Sequence, residues 1–136
     1  EKKNPRVEIM VPLVGSREEF LHQKNIIINT YEKLSKKHKH KLSYKIGTMI
    51  EIPKACFSAG IIAKNADFFS FGTNDLTQTT FGFSRDDAGS FFPGYLEKGI
   101  LTFDPFESID EKGVGALMDI AIKSGKKNMR RERLSS

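Results

Sequence analysis

The stretch IGTMIEIPKA, residues 46–55, decides how this chain is read. Ile46, Met49, Ile50 and Ile52 give it the apolar character of a buried strand. Pro53 then suits the first turn of a following helix, where its missing N–H costs nothing. Glu51 interrupts the apolar run. An ionised carboxylate in such surroundings is costly unless something neutralises it, so Glu51 requires a counter-charge.

The flanking sequence repeats the strand-then-helix pattern. VEIMVPLVG (7–15) is a short apolar run ended by a glycine, and SREE follows with Ser16 and Glu19 at the spacing of a capping box. Phe20, Ile27, Tyr31 and Leu34 recur at helical spacing, and the Lys/His run 36–41 is the polar end of that helix and the loop after it. LSYKIGTMIEI (42–52) is the second strand. The helix after Pro53 carries a small-residue face of Ala55, Ala59, Ile62, Ala63 and Ala66, suited to close packing. DFFSFG (67–72) is a third strand, and TNDLTQ begins the segment after it. Residues 81–108, rich in Gly, Phe and Pro, read as irregular. A last helix over 109–125 has Asp110 as N-cap and Gly125 as its stop. This alternation predicts an α/β fold, a parallel sheet covered by helices with right-handed crossovers. Three β/α units are too few to close an eight-stranded barrel, which takes about 250 residues.

Composition narrows the function classes. The 136 residues are 38% hydrophobic and 29% charged, the balance of one globular, soluble domain. No apolar run approaches the roughly 20 residues that cross a bilayer, so no membrane role is expected. The start lacks a signal-peptide core and an initiating Met, and reads as that of a fragment. The single Cys56 excludes an internal disulfide framework and suits a reducing compartment. The net charge of +5 divides into +6 over residues 1–50, −6 over 51–122 and +5 over 123–136. The positive charge lies in a loop-like run and the tail rather than on a groove-reading element, so nucleic acid is not an expected partner. The acidic middle is where the chemistry belongs.

There, Glu51 ends the second strand and Asp75 lies just past the third. The spacing from 51 to 75 is one strand–helix–strand step. Adjacent parallel strands would bring their ends to roughly 5 Å. Two close carboxylates repel unless a cation lies between them. Carboxylates without Cys or imidazole favour Mg²⁺, which keeps positions for water and substrate oxygens. Gly72 allows close backbone approach, and Thr73 and Asn74 offer a hydroxyl and an amide to an anionic substrate. The structural alternatives are a Glu51 ion pair with Lys54 and an Asx-turn at Asp75. His22, His38 and His40 share no segment with the carboxylates and read as surface residues. Cys56 reads as an inert packed thiol. SRDD (84–87) is either a gate or a turn with local ion pairs, and Phe81, Phe83, Phe91 and Phe92 pin the long segment to the body.

IMVPLVG, IGTMIEIPKACF, DFFSFGTNDLTQTTFGFSRDDAG, YLEKGI and DPFESIDEKGVGALM together resemble the C-terminal, pyruvate/phosphoenolpyruvate-binding domain of the pyruvate, phosphate dikinases. The resemblance runs from about residue 5 to about residue 127. Phosphoenolpyruvate synthase and the phosphotransferase-system phosphoryl donor enzyme share the IE-P-A and FFS-GTNDL motifs. TFGFSRDDAG followed by YLEKGI is particular to the dikinase branch. The resemblance implies a partial (β/α)₈ TIM barrel, strands five to seven, over residues 1–127, with a divergent basic tail at 128–136. It implies an enzyme that interconverts ATP, phosphate and pyruvate with AMP, pyrophosphate and phosphoenolpyruvate. A phosphohistidine domain would shuttle the phosphoryl group, and the full-length form would be a homodimer. By motif, the resemblance implies that Glu51 and Asp75 bind Mg²⁺ and that Glu51, Gly72, Thr73, Asn74 and Asp75 contact pyruvate or phosphoenolpyruvate. A cytoplasmic setting is expected, with glycosomes and plastids as the family's other settings.

The departures concern catalysis. The family's substrate-binding arginines belong to earlier strands. None of the three histidines matches the phosphohistidine motif, and Cys56 is not the catalytic cysteine of the Gly-x-Cys-Gly-Glu motif on strand eight. Where that strand is expected, at about residue 132, the chain reads NMRRERLSS. The expectation is a dikinase segment holding the Mg²⁺ half of the site and inactive alone. The alternatives are a truncated non-catalytic interaction module and a segment of another phosphoenolpyruvate-using enzyme.

Overall fold

A computed structural model describes residues 5–39 and 41–132, with side chains through residue 128. The elements are β1 (Val7–Val11), α1 (Arg17–His38), β2 (Tyr44–Ile50), α2 (Pro53–Ile62), β3 (Phe69–Phe71), α3 (Thr73–Phe81), α4 (Arg85–Glu97) and α5 (Ala116–Glu132). A π-helical turn at Glu111–Gly115 leads into α5. The three strands are parallel in the order β1-β2-β3. The parallel sheet and the α/β alternation through β3 are therefore as the sequence predicts.

Local chemistry sets the helix starts. Ser16 Oγ accepts the Glu19 N–H at 3.2 Å, and Glu19 Oε2 accepts the Ser16 N–H at 2.9 Å, the reciprocal capping box. The Gly15 N–H holds the Glu19 carboxyl below the usual carboxylate range against a smaller opposing desolvation, with Ser16 and the charge of Lys54 assisting. This contribution is present above the unfolded-chain pKa and is lost as pH falls through the folded one. Pro53 occupies the start of α2, and Asp110 accepts the Lys112 and Gly113 N–H groups at the start of the π-helical turn.

Side-chain parity along β2 divides the sheet into two faces. Ile46, Thr48 and Ile50 point toward the helices. Ile46 packs with Val14, Phe20 and Ile62, whereas Ile50 packs with Ala55, Cys56, Ala59, Leu76, Val114 and Ala121. The other face carries Met10, Gly47, Met49 and Ser70 in register, and Met10 is 42% exposed. Among the described residues no helix covers this face. Of the α1 stripe, Phe20 is fully buried but Leu34 is 51% exposed, because α1 outruns the strands it covers.

Two expectations need correction. Residues 81–108 are not irregular throughout, since α4 spans Arg85–Glu97 with Pro93 inside it. Tertiary packing overrides the proline and glycines: the Phe83 ring lies 5.6 Å from Phe81, 5.0 Å from Phe91, 5.8 Å from Phe92 and 6.1 Å from Tyr95. Phe81 in turn packs on the central core, so this aromatic cluster does pin the segment to the body. The SRDD stretch is the Ser84 N-cap position and the first turn of α4, and its acids make no ion pair among the described residues.

Gly125 also does not stop α5. A Cβ there would lie 3.3 Å from Phe69 Cε2, and one on Gly60 would lie 3.1 Å from Ser124 Cβ. Both glycines serve close approach, of α5 to β3 and of α2 to α5. The boundary expected after residue 127 falls inside α5, and residues 133–136 of the expected tail, like His40, lie outside the described residues.

Gly47 has the tightest space in the sheet. A Cβ would stand 2.5 Å from the Phe68 carbonyl oxygen and 2.7 Å from its ring. Gly47→Ala is expected to destabilise the chain by about 1–3 kcal/mol, as overpacking does. Urea unfolding followed by circular dichroism measures it, and an unchanged midpoint would refute the packing argument.

Candidate functional site

Parallel pairing matches Ile50 with Phe71, so the residues that follow each strand emerge side by side. Glu51 is the first residue beyond β2, and Gly72 the first beyond β3. Glu51 is 2% exposed. A Cβ on Gly72 would collide with Glu51 Oε2 and lie 2.7 Å from Glu51 Cβ and 2.9 Å from Met49 Cε. The glycine is required because the carboxylate occupies the space a side chain would fill.

The opposite carboxylate oxygen is held by β1's exit loop. The Leu13 N–H donates to Glu51 Oε1 at 2.7 Å. Leu13 adopts φ 53°, in the left-handed region, where an L-residue other than glycine is strained by roughly 1–2 kcal/mol. A hydrogen bond to a charged group contributes about 1.5–3 kcal/mol, enough to offset that strain. Nothing in VPLVG signals a left-handed leucine, because the residue type argues against it. Sequence reasoning misses this contact entirely.

The structure also decides the two structural alternatives. Lys54 forms no salt bridge with Glu51 among the described residues. Its aliphatic stem lies along Gly15, and its charge acts on Glu19. Asp75 makes no Asx-turn. It lies in the first turn of α3, which starts at Thr73 after Gly72, and its Oδ1 accepts the Gln78 Nε2–H at 3.1 Å. Thr73 is half-buried and Asn74 exposed in that same turn. Glu51, Gly72, Thr73, Asn74 and Asp75 thus share the C-terminal end of the sheet, where enzymes of parallel β/α architecture place their chemistry.

These residues suit a hard cation. Glu51 is a buried carboxylate with one backbone donor and no cationic side-chain partner among the described residues. A buried carboxylate so placed calls for a positive charge. No group of three or more His, Cys, Asp or Glu is assembled among the described residues, so protein atoms alone would not fill a coordination sphere. Mg²⁺ tolerates this, since one or two carboxylates commonly hold it beside water and substrate oxygens.

Residues 2–129 match the family described as PEP-utilising enzyme, PEP-binding domain. The chain is 59% identical over 119 residues to the chloroplastic pyruvate, phosphate dikinase of Mesembryanthemum crystallinum, and 57% over 119 residues to the chloroplastic pyruvate, phosphate dikinase 1 of Arabidopsis thaliana. Against the pyruvate, phosphate dikinase of Rickettsia conorii it is 52% identical over 120 residues. Each alignment covers 88% of this chain but only 12–14% of the relative. The chain belongs to the family of PEP-utilising enzymes, through their PEP-binding domain. The dikinase resemblance read from the motifs is thereby established.

Cys56 has no part in this site. It lies in α2 on the face buried against the Ile50 cluster, and desolvation pushes its thiol pKa up, a backbone hydrogen bond opposing this. Its stability contribution is complete below the unfolded-chain pKa and is lost as pH rises through the folded one. The native thiol is expected to resist a disulfide reagent at pH 8 and to react fully in denaturant. Rapid native reaction would contradict its burial.

Proposed function

We propose that the chain carries the Mg²⁺-binding half of the pyruvate/phosphoenolpyruvate site of a pyruvate, phosphate dikinase. The observation that carries this reading is Glu51, buried without a cationic side-chain partner among the described residues and seated against Gly72 at the head of the Thr73-Asn74-Asp75 turn. The names and identities of the dikinase relatives support the reaction class. The reaction would convert ATP, phosphate and pyruvate to AMP, pyrophosphate and phosphoenolpyruvate. In the full-length, homodimeric enzyme, a phosphohistidine domain would deliver the phosphoryl group to this end of the sheet.

Strands β1–β3 would be strands five to seven of a (β/α)₈ barrel. The uncovered sheet face supports this, because parallel sheets are normally buried on both faces and a barrel turns one face inward. Each outer strand also keeps an unpaired edge among the described residues.

In this reading Glu51 and Asp75 hold the cation. When bound, Mg²⁺ supplies positive charge against the oxygen charge that develops as the phosphoryl group is passed. The Leu13 N–H holds Glu51 in place. Thr73 and Asn74 present a hydroxyl and an amide to the substrate, and Gly72 leaves the Glu51 carboxylate room at the strand end.

The rival reading, a non-catalytic interaction module, draws on the open β3 edge. There Phe69, Phe71, Ala121 and Ile122 help line a cavity of about 310 Å³. Calorimetric titration with Mg²⁺ separates the two. The wild-type chain is expected to bind, and Glu51→Gln and Asp75→Asn each to abolish binding with circular dichroism unchanged. A folded wild-type chain that binds no Mg²⁺ would favour the module. Assayed alone with pyruvate, ATP and phosphate, the 136-residue chain is expected to form no phosphoenolpyruvate, and turnover would overturn its inactivity.

A further inference from the structure

Asp75 and Glu51 share an arrangement that no motif announces. Each gives one oxygen to a protein donor, Glu51 Oε1 to the Leu13 N–H and Asp75 Oδ1 to the Gln78 side chain. Glu51 Oε2 and Asp75 Oδ2 receive no hydrogen bond from the described residues. A carboxylate tied at one oxygen presents the other in a defined direction, as partners of metal-binding carboxylates do.

Gln78 is itself tied at both ends. Its Nε2 donates to Asp75, and its Oε1 accepts the Arg85 N–H at 2.8 Å. A backbone N–H can only donate, so the Gln78 oxygen must face Arg85 and its amide N–H₂ must face Asp75. The chain reverses tightly to make this possible. Gly82, at φ 70°, follows α3, and the Gly82 and Phe83 N–H groups both donate to the Gln78 carbonyl, at 2.8 and 3.1 Å. That reversal brings Arg85, the first residue of α4, over the Gln78 side chain. Phe83, two residues before Arg85, is fixed among Phe91, Phe92 and Tyr95.

We infer that Gln78 is a positioning residue. It fixes which Asp75 oxygen faces a bound divalent cation, and it is held in turn by the first backbone N–H of α4. The inference rests on the reading of Glu51 and Asp75 as cation ligands. It gives the 81–108 segment a role at the site without any of its side chains touching the cation: the aromatic cluster sets α4, α4 sets Gln78, and Gln78 sets Asp75.

The test is Mn²⁺ affinity, read from the free-ion paramagnetic signal, on the chain and four variants, each checked by circular dichroism. Gln78→Met keeps the length of the side chain and removes the donor. It is expected to weaken binding roughly 10–100-fold, as loss of a ligand's supporting partner does. Arg85→Pro removes only the anchoring N–H and the charge. Proline is tolerated at the first helical position, and Ser84, at φ −76° and ψ 130°, already has the backbone that precedes proline. Arg85→Ala removes the charge and keeps the N–H. Binding by Arg85→Pro is expected to be weaker than by Arg85→Ala, which should match wild type. Wild-type affinity in folded Gln78→Met would overturn the inference while leaving the site reading intact. Equal affinities of the two Arg85 variants would overturn the link to α4. A wild-type chain that binds no Mn²⁺, or a Glu51→Gln variant that binds normally, would remove the site reading and this inference with it.

Discussion

A carboxylate buried at the end of β2 is the constraint around which the working end of this sheet is arranged. Glu51 cannot be left bare in apolar surroundings, and its neighbours are organised accordingly. Leu13 accepts a left-handed backbone to bring its N–H to Oε1. Gly72 lacks a side chain because the carboxylate stands in that volume. Lys54, the nearest cation in sequence, is engaged with the α1 cap instead. What remains is an acidic group fixed by backbone geometry, with no cationic side chain paired to it among the described residues.

The packing beneath the site keeps that geometry rigid. Two clusters of buried side chains, one under Ile46 and one under Ile50, fill the space between the sheet and its helices. Glycines and alanines bring α2, α5 and β3 close, and Gly60 and Gly125 have no room for a Cβ without displacing a neighbour. Thr48 adds a polar tie, its hydroxyl donating to the Val11 carbonyl at 2.8 Å across the β1–β2 pair. The strands therefore hold their relative heights, and with them the alignment of Glu51 and Gly72.

Beyond α3 the chain is organised differently. Gly82 turns it back, the Phe83-centred cluster fixes α4, and the Asp110 cap starts the turn into α5. This segment carries a proline within a helix and few of the periodic signals that mark α1 or α5. Its order comes from aromatic rings meeting across a tight reversal. Local propensity describes such contacts poorly, because each ring's partner is supplied by the fold.

The sequence by itself determined the order of β1, α1, β2, α2 and β3, the capping box at Ser16 and the start of α2 at Pro53, and it singled out the five residues of the candidate site. Each of these depends on near neighbours, on hydrophobic period, or on a motif long enough to mark the family. Tertiary structure alone decided the left-handed turn at Leu13, the clamp on Gln78, the helix at Arg85–Glu97 and the passage of α5 through Gly125. The reason is physical. A hydrogen bond between residues 13 and 51, or a glycine kept small by a ring on another strand, is set by segments that meet only when the chain has folded.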